Sequence, residues 1–212
     1  SEETLAEIGR LAERGFAEIV FCGANLGCYG EGGASLAHLL GEAADRHPEV
    51  RFRLGSVELT RDYRALVEVM VARPNICRFL HIPLQSGSEG VLRRMGRRYS
   101  AGEYRAAVAY VAERLSGLGL GTDVITGFPG ETEADFQETA RLLADLPFNL
   151  LHVFPYSPRP GTRAAELSGR VAPSVARERA AILREWGARQ RAAFARAWVG
   201  RPVEMVVETR TE

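Results

Sequence analysis

The sequence predicts an α/β fold built on a parallel sheet, and three observations carry that expectation. Short apolar segments alternate with amphipathic helical ones at a period of about 25 to 45 residues, as strands joined by helical crossovers do. Turns rich in glycine and proline separate the two kinds of segment. Polar residues collect just beyond the predicted strand ends, where barrel-like and doubly wound sheets alike place their ligands.

The elements follow in order. Ser1 to Arg14 carries Leu5, Ile8 and Leu11 on one helical face, and Gly15 stops it. Glu18 to Cys22 is a short buried strand, followed by the glycine-rich stretch Gly23 to Gly33. Ser35 to Arg46 is a helix ended by Pro48, Phe52 to Val57 a strand, and Arg61 to Ala72 a helix. Arg78 to Pro83 is a strand that leads into Leu84 to Ser88, and a short helix carries Val91, Leu92 and Met95. Ser100 with Glu103 forms a capping box for the next helix, which Gly117 to Gly121 breaks. Thr122 to Thr126 is a strand, Thr132 with Asp135 caps a helix to Leu146, and Asn149 to Phe154 is a strand. Ser174 to Trp198 is a long final helix, and Val203 to Glu208 one more strand outside the repeat.

At 212 residues, 46% apolar and 25% charged, the chain can bury a core of ordinary size. Its 27 basic residues, all arginine, balance 27 acidic ones, so net charge announces no nucleic acid. No stretch reaches the roughly 18 apolar residues of a membrane span. The three cysteines Cys22, Cys28 and Cys77 are too few for a disulfide framework, and a reducing, cytoplasmic setting is the default. The first residue is not methionine, which fits a piece of a longer chain.

The stretch from Asp123 to Thr132 is a strand, a tight Gly127–Gly130 turn and a helix start, a platform suited to a nucleotide-like ligand. Asn25, Glu58, Gln85, Asp123 with Glu131, and Tyr156 with Ser157 mark five strand ends. Each has a plain structural reading: Asn25 fixing a turn, Glu58 capping a helix, Gln85 satisfying loop amides. Five converging ends favour a pocket. The arginines along and just after the last helix, Arg177, Arg179, Arg184, Arg189, Arg191, Arg196 and Arg201, read as a solvated face beside Ile182, Leu183, Trp186 and Phe194, with phosphate contact as the other reading.

Four stretches are more specific. His81-Ile-Pro-Leu-Gln-Ser-Gly-Ser88, Val91-Leu-Arg-Arg-Met-Gly-Arg-Arg-Tyr99, Asp123 to Thr132, and Phe154-Pro-Tyr-Ser-Pro-Arg-Pro-Gly-Thr162 resemble the radical SAM methylthiotransferases in order and spacing. Arg53-Leu-Gly-Ser-Val-Glu58 is most similar to the branch that acts on N6-threonylcarbamoyladenosine in tRNA. The resemblance implies a partial TIM-type barrel over residues 1–199, with S-adenosylmethionine across the C-terminal strand ends. It implies a methylthio group added to C2 of the modified adenosine. The ligand would serve both as methyl donor and as source of a 5′-deoxyadenosyl radical. It implies tRNA as partner and [4Fe-4S] clusters in the full-length enzyme.

On this resemblance Glu58 receives the methionine ammonium, with the Asn25 carbonyl beside it. Arg97, twelve residues after Gln85, holds the carboxylate. Gln85 faces the ribose or carboxylate side, Asp123 accepts from a ribose hydroxyl, and the Gly127 to Gly130 turn and the main chain near Phe154 pack the adenine, with Ser86 and Tyr156 as further cofactor-binding residues. The alternatives are the isopentenyladenosine branch, the ribosomal-protein branch, and a non-catalytic module binding S-adenosylmethionine or RNA.

The family's cysteine motif, Cys-x3-Cys-x2-Cys, does not occur here, since Cys22 and Cys28 are separated by five residues and Cys77 is distant. The expectation is therefore that the first barrel strand and cluster loop precede Ser1, and that this chain binds no cluster. Gly200 onward is similar to the start of a small RNA-binding TRAM barrel. Glu18 to Cys22 would then be an exposed edge, able to pair with a second copy.

Overall fold

The computed structural model describes residues 2–30, 35–60, 62–115 and 117–206. Among the described residues seven helices and five strands follow in order: α1 (Glu2–Glu13), β1 (Glu18–Phe21), α2 (Leu36–Arg46), β2 (Arg51–Leu54), α3 (Tyr63–Ala72), β3 (Phe79–His81), α4 (Glu89–Arg94), α5 (Ala101–Arg114), β4 (Gly119–Thr126), α6 (Glu133–Ala144), β5 (Leu150–Pro155) and α7 (Pro173–Trp198). Every strand pairing is parallel. β1 pairs with β2, and β3, β4 and β5 form a second ladder in that order. Isolated parallel bridges Phe52↔Ile76 and Ser56↔His81 carry pairing from β2 across to β3, so the two ladders form one curved, open sheet. The expected partial barrel of parallel strands is what forms, and among the described residues it does not close.

Alternation sorts the sheet into two faces. Phe52, Leu54, Leu80, Val124 and Val153 point to the helices and are buried. Tyr104 of α5 is fully buried among them, and its hydroxyl donates to the Ile82 carbonyl at 2.5 Å. The opposite, concave face carries Glu18, Arg51, Arg53, His81, Asp123 and His152, with Val20 and Phe154 exposed. Glu18 pairs there with Arg53 at 3.1 Å and Arg51 at 3.3 Å. β1 has β2 as its one strand neighbour among the described residues.

Three expectations change. β4 begins at Gly119, inside the stretch expected to break the chain. Gly119 and Gly121 lie under Phe79 and His81, where an added Cβ would sit 2.9 Å from the Phe79 ring and 2.7 Å from His81 Nδ1. These glycines are pairing positions rather than breakers. Residues 203–206 form no strand, and 207–212, which complete the expected one, lie outside the described residues. On α7 the other arginines are exposed and Leu183 is buried as expected, but Arg179 is buried at 7% exposure and Ile182 is exposed at 50%, so these two exchange places. Arg179 turns inward because two carboxylates wait for it.

Candidate cofactor site

Three of the expected residues meet. A cavity of about 940 Å³ beyond the C-terminal ends of β1 and β2 is lined by Asn25, Cys28, Glu58, Arg97 and Tyr99, among others. That volume lies within the roughly 300–1,000 Å³ of small-molecule sites. Asn25 precedes a short 3-10 turn, Leu26–Cys28, and its side chain makes no capping bond there. Gly27 lets that turn close, since a Cβ would lie 2.8 Å from the Glu58 carbonyl oxygen. Arg97 follows α4 and donates from Nη1 to Glu58 Oε1 at 2.7 Å. Tyr99 closes the floor, its hydroxyl donating to the Pro83 and Leu84 carbonyls at 3.0 and 3.1 Å. Burial pushes that phenol up to about 12, against the pull of Arg97.

The ligand chemistry of this cavity is zwitterionic. A carboxylate and a guanidinium stand together, and an α-amino acid group offers a complementary ammonium and carboxylate to each. The methionine end of S-adenosylmethionine fits this donor set.

The other expected residues lie elsewhere. Gln85 adopts φ 68°, the left-handed region that non-glycine residues avoid. The strain is held by a ladder onto β4: its amide donates to Asp123 O at 2.8 Å, and Ile125 N donates to its carbonyl at 2.9 Å. Ser86 is fully buried, and its hydroxyl lies 3.3 Å from Thr139 Oγ1 on α6, so its side chain serves the loop's packing. Gly127 has φ 73°, and a Cβ there would lie 2.3 Å from Ala176 Cβ of α7. Its amide donates to Glu131 Oε2 at 2.6 Å. Tyr156 packs edge-on against Phe128, with its hydroxyl buried and unpartnered.

Sequence reasoning missed what holds the Gly127 turn. Arg179 Nη1 donates to Glu131 Oε2 at 2.7 Å, and Nη2 to Glu133 Oε2 at 3.0 Å. Burial pushes the Glu131 carboxyl up, against the Gly127 amide and the Arg179 guanidinium. The periodicity of α7 placed Arg179 beside Ala176, Ala180 and Leu183, a signal that it faces inward.

It also missed a cluster on the concave face. Asp123 lies mid-strand on β4, and its Oδ1 is 3.1 Å from His81 Nε2 and 3.2 Å from His152 Nδ1. Burial pushes the Asp123 carboxyl up, but the two histidines outweigh it and hold it below the usual carboxylate range. Asp123 does not line the cavity that holds Asn25, Glu58 and Arg97. The thiols do not converge: Cys22 is exposed, Cys28 lines the cavity, and Cys77 accepts from Arg51 Nη2 at 3.2 Å. They do not fit an iron–sulfur cluster, which needs three thiolates on one centre.

Residues 1–143 match the Radical SAM superfamily. The chain is 36% identical over 203 residues to the threonylcarbamoyladenosine tRNA methylthiotransferase MtaB of Thermotoga maritima, covering 95% of this chain and 47% of that protein. It is 40% identical over 181 residues to the protein of the same name from Bacillus subtilis, covering 84% and 40%. It is 36% identical over 210 residues to the tRNA-2-methylthio-N(6)-dimethylallyladenosine synthase of Chlorobium limicola, covering 98% and 48%. The chain thus spans about half the length of the curated relatives it matches. Coproporphyrinogen III oxidase (HemN) from Escherichia coli, a radical SAM enzyme, superposes with a TM-score of 0.64 at 16% identity, over 88% of this chain and 44% of that one. The radical S-adenosylmethionine methyltransferase TsrM from Kitasatospora setae gives 0.61 at 14% identity, over 76% and 32%. At such identities these two structures speak for the fold alone. Parallel strands in an open curved sheet, a polar cavity at their C-terminal ends and a family signature matched over residues 1–143 agree: the chain belongs to the radical SAM superfamily.

Proposed function

We propose that this chain is the S-adenosylmethionine-holding part of a tRNA methylthiotransferase that acts at C2 of N6-threonylcarbamoyladenosine. The observation that carries the reading is the convergence of Asn25, Glu58 and Arg97 on one cavity. The relatives support the reaction class, and the Thermotoga maritima and Bacillus subtilis proteins, at 36% and 40% identity, carry the threonylcarbamoyladenosine name. Glu58 would take the methionine ammonium and Arg97 the carboxylate, each releasing part of its hold on the other. The Asn25 carbonyl would accept a second ammonium proton. When bound, S-adenosylmethionine would supply the methyl group and, on one-electron reduction by a cluster of the full-length enzyme, the 5′-deoxyadenosyl radical, while the inserted sulfur would come from a donor outside this chain. The residues of this chain bind it, orient it and shield it from water, which is where positioned sites gain most of their advantage.

A second reading, the dimethylallyladenosine branch, is favoured by the match to the Chlorobium limicola synthase across 98% of this chain. The intact protein containing this chain, its clusters reconstituted with iron and sulfide and then incubated with S-adenosylmethionine, reductant and tRNA carrying either modified adenosine, separates the two. Methylthio addition to the threonylcarbamoyl tRNA alone is the expected result. Addition to the dimethylallyl tRNA alone overturns the substrate assignment, and addition to neither tRNA overturns the reaction.

A further inference from the structure

We propose that His81, Asp123 and His152 form a binding site for a first-row divalent transition cation, distinct from the cavity of Asn25, Glu58 and Arg97. The three side chains come from adjacent strands β3, β4 and β5, and their ligand atoms all lie within 4.8 Å of one another. The N···O separations, 3.1 and 3.2 Å, match the spacing of neighbouring ligand atoms around one ion. Metal–ligand bonds of about 2.0–2.1 Å put such atoms about 3.0 to 3.4 Å apart.

Hydrogen bonding accounts for only half of the arrangement: His152 Nδ1 and Asp123 Oδ1 are hydrogen-bonded at 3.2 Å, and His81 is left out. His81 is 5% exposed, and its Nε2 has no hydrogen-bond partner although Asp123 Oδ1 lies beside it. The close contact is therefore off-line for a proton, and a buried nitrogen points into the cluster unsatisfied. An orphaned buried polar atom is rare and costly. A cation held between the imidazoles and the carboxylate would satisfy it.

The site is built by the sheet. His81 stands opposite Gly121 in register, and a Cβ on Gly121 would fall 2.7 Å from His81 Nδ1. Only a bare Cα lets the imidazole lie flat across β4 to reach Asp123. Asp123 in turn is paired with His152. The two rings stack at 5.4 Å with a 28° interplanar angle, and each places a nitrogen beside the same carboxylate oxygen, Asp123 Oδ1. Two imidazoles and one carboxylate suit zinc, iron or cobalt rather than magnesium or calcium. His152 is exposed to the concave face, which leaves coordination positions open for water or an oxygen ligand. This inference does not rest on the proposed cofactor site.

Cobalt(II) titration of this chain, read by its visible d–d absorption and checked by zinc competition, tests the proposal. A variant with Cys22→Ser, Cys28→Ser and Cys77→Ser removes thiolate binding. The expected result is one equivalent of cobalt per chain, unchanged in the cysteine variant. Binding should weaken by at least about tenfold in His152→Gln and in Asp123→Asn, more than loss of an outer-shell partner typically causes at its mildest. Circular dichroism confirms that both variants remain folded, and His152, being exposed, is the safer of the two. No stoichiometric uptake, uptake lost with the cysteines, or equal affinity in His152→Gln would overturn it.

Discussion

Arg97 donates from Nη1 to Glu58 Oε1 at 2.7 Å across a sequence separation of 39 residues, and both side chains stay open to the cavity. The pair is half-exposed, with side-chain exposures of 26% and 44%. Such pairs contribute only about 0–1 kcal/mol to stability. Their value lies in presenting a positive and a negative group at one spot. Glu58→Gln should therefore change the unfolding free energy by less than about 1 kcal/mol. Chemical denaturation checks this, and a large loss would mean that the pair is a structural clamp.

Arg179 and Glu131 behave in the opposite way. Both are buried, and removing one partner strands the other. Arg179→Met should destabilise the chain by about 3 to 5 kcal/mol. The double variant Arg179→Met with Glu131→Gln should lose less than the two single losses added together, because no uncompensated charge remains. Urea unfolding of the three variants gives the coupling directly, and strict additivity would show that the pair does not act as a unit.

Gln85 holds a left-handed backbone at φ 68°. That conformation costs a side-chain-bearing residue about 1 to 2 kcal/mol, and glycine adopts it freely. Gln85→Gly should therefore be neutral or stabilising by up to about 1 kcal/mol, since glycine's greater unfolded freedom offsets part of the gain. A thermal melt that falls instead would show that the side chain contributes packing greater than the strain.

Asp135 gives a pH prediction. Burial pushes its carboxyl up, but the Ser88 hydroxyl, the Thr132 amide and hydroxyl, and Arg94 outweigh it and hold it below the usual carboxylate range. A carboxylate with a depressed folded value binds its proton less readily folded than unfolded. Its stabilisation is thus fully present above the unfolded value of about 3.9 and is lost as pH falls through the folded value. Asp135→Asn should flatten the acid limb of the stability curve below about pH 4 while lowering stability at pH 7. An unchanged acid limb would show that other carboxylates set it.

Much of this was legible in the chain. Both capping boxes, Ser100 with Glu103 and Thr132 with Asp135, form as their spacing indicates, because a cap is a local bond between residues three apart. Strand existence followed from short apolar runs. The start of β4 did not, since Gly119 and Gly121 signal a break locally and are needed only because β3 lays bulky side chains over them. Asn25 and Glu58 were legible as strand-end polar residues and Arg97 through the resemblance, and the three line one cavity. The His81–Asp123–His152 cluster was not, because it depends on strand register, which no single segment encodes. Arg179 was misassigned for a related reason: its partners Glu131 and Glu133 lie 48 and 46 residues away.

The most direct test of the central claim is isothermal calorimetry of this chain with S-adenosylmethionine. The account predicts saturable binding at one site. Arg97→Ala should weaken it by about 1.5 to 3 kcal/mol, the range for hydrogen bonds to charged groups. His152→Gln, outside the cavity, should leave it unchanged. Absence of saturable binding, or equal affinity for the wild type and Arg97→Ala, would contradict the assignment of the Asn25, Glu58 and Arg97 cavity as the cofactor site.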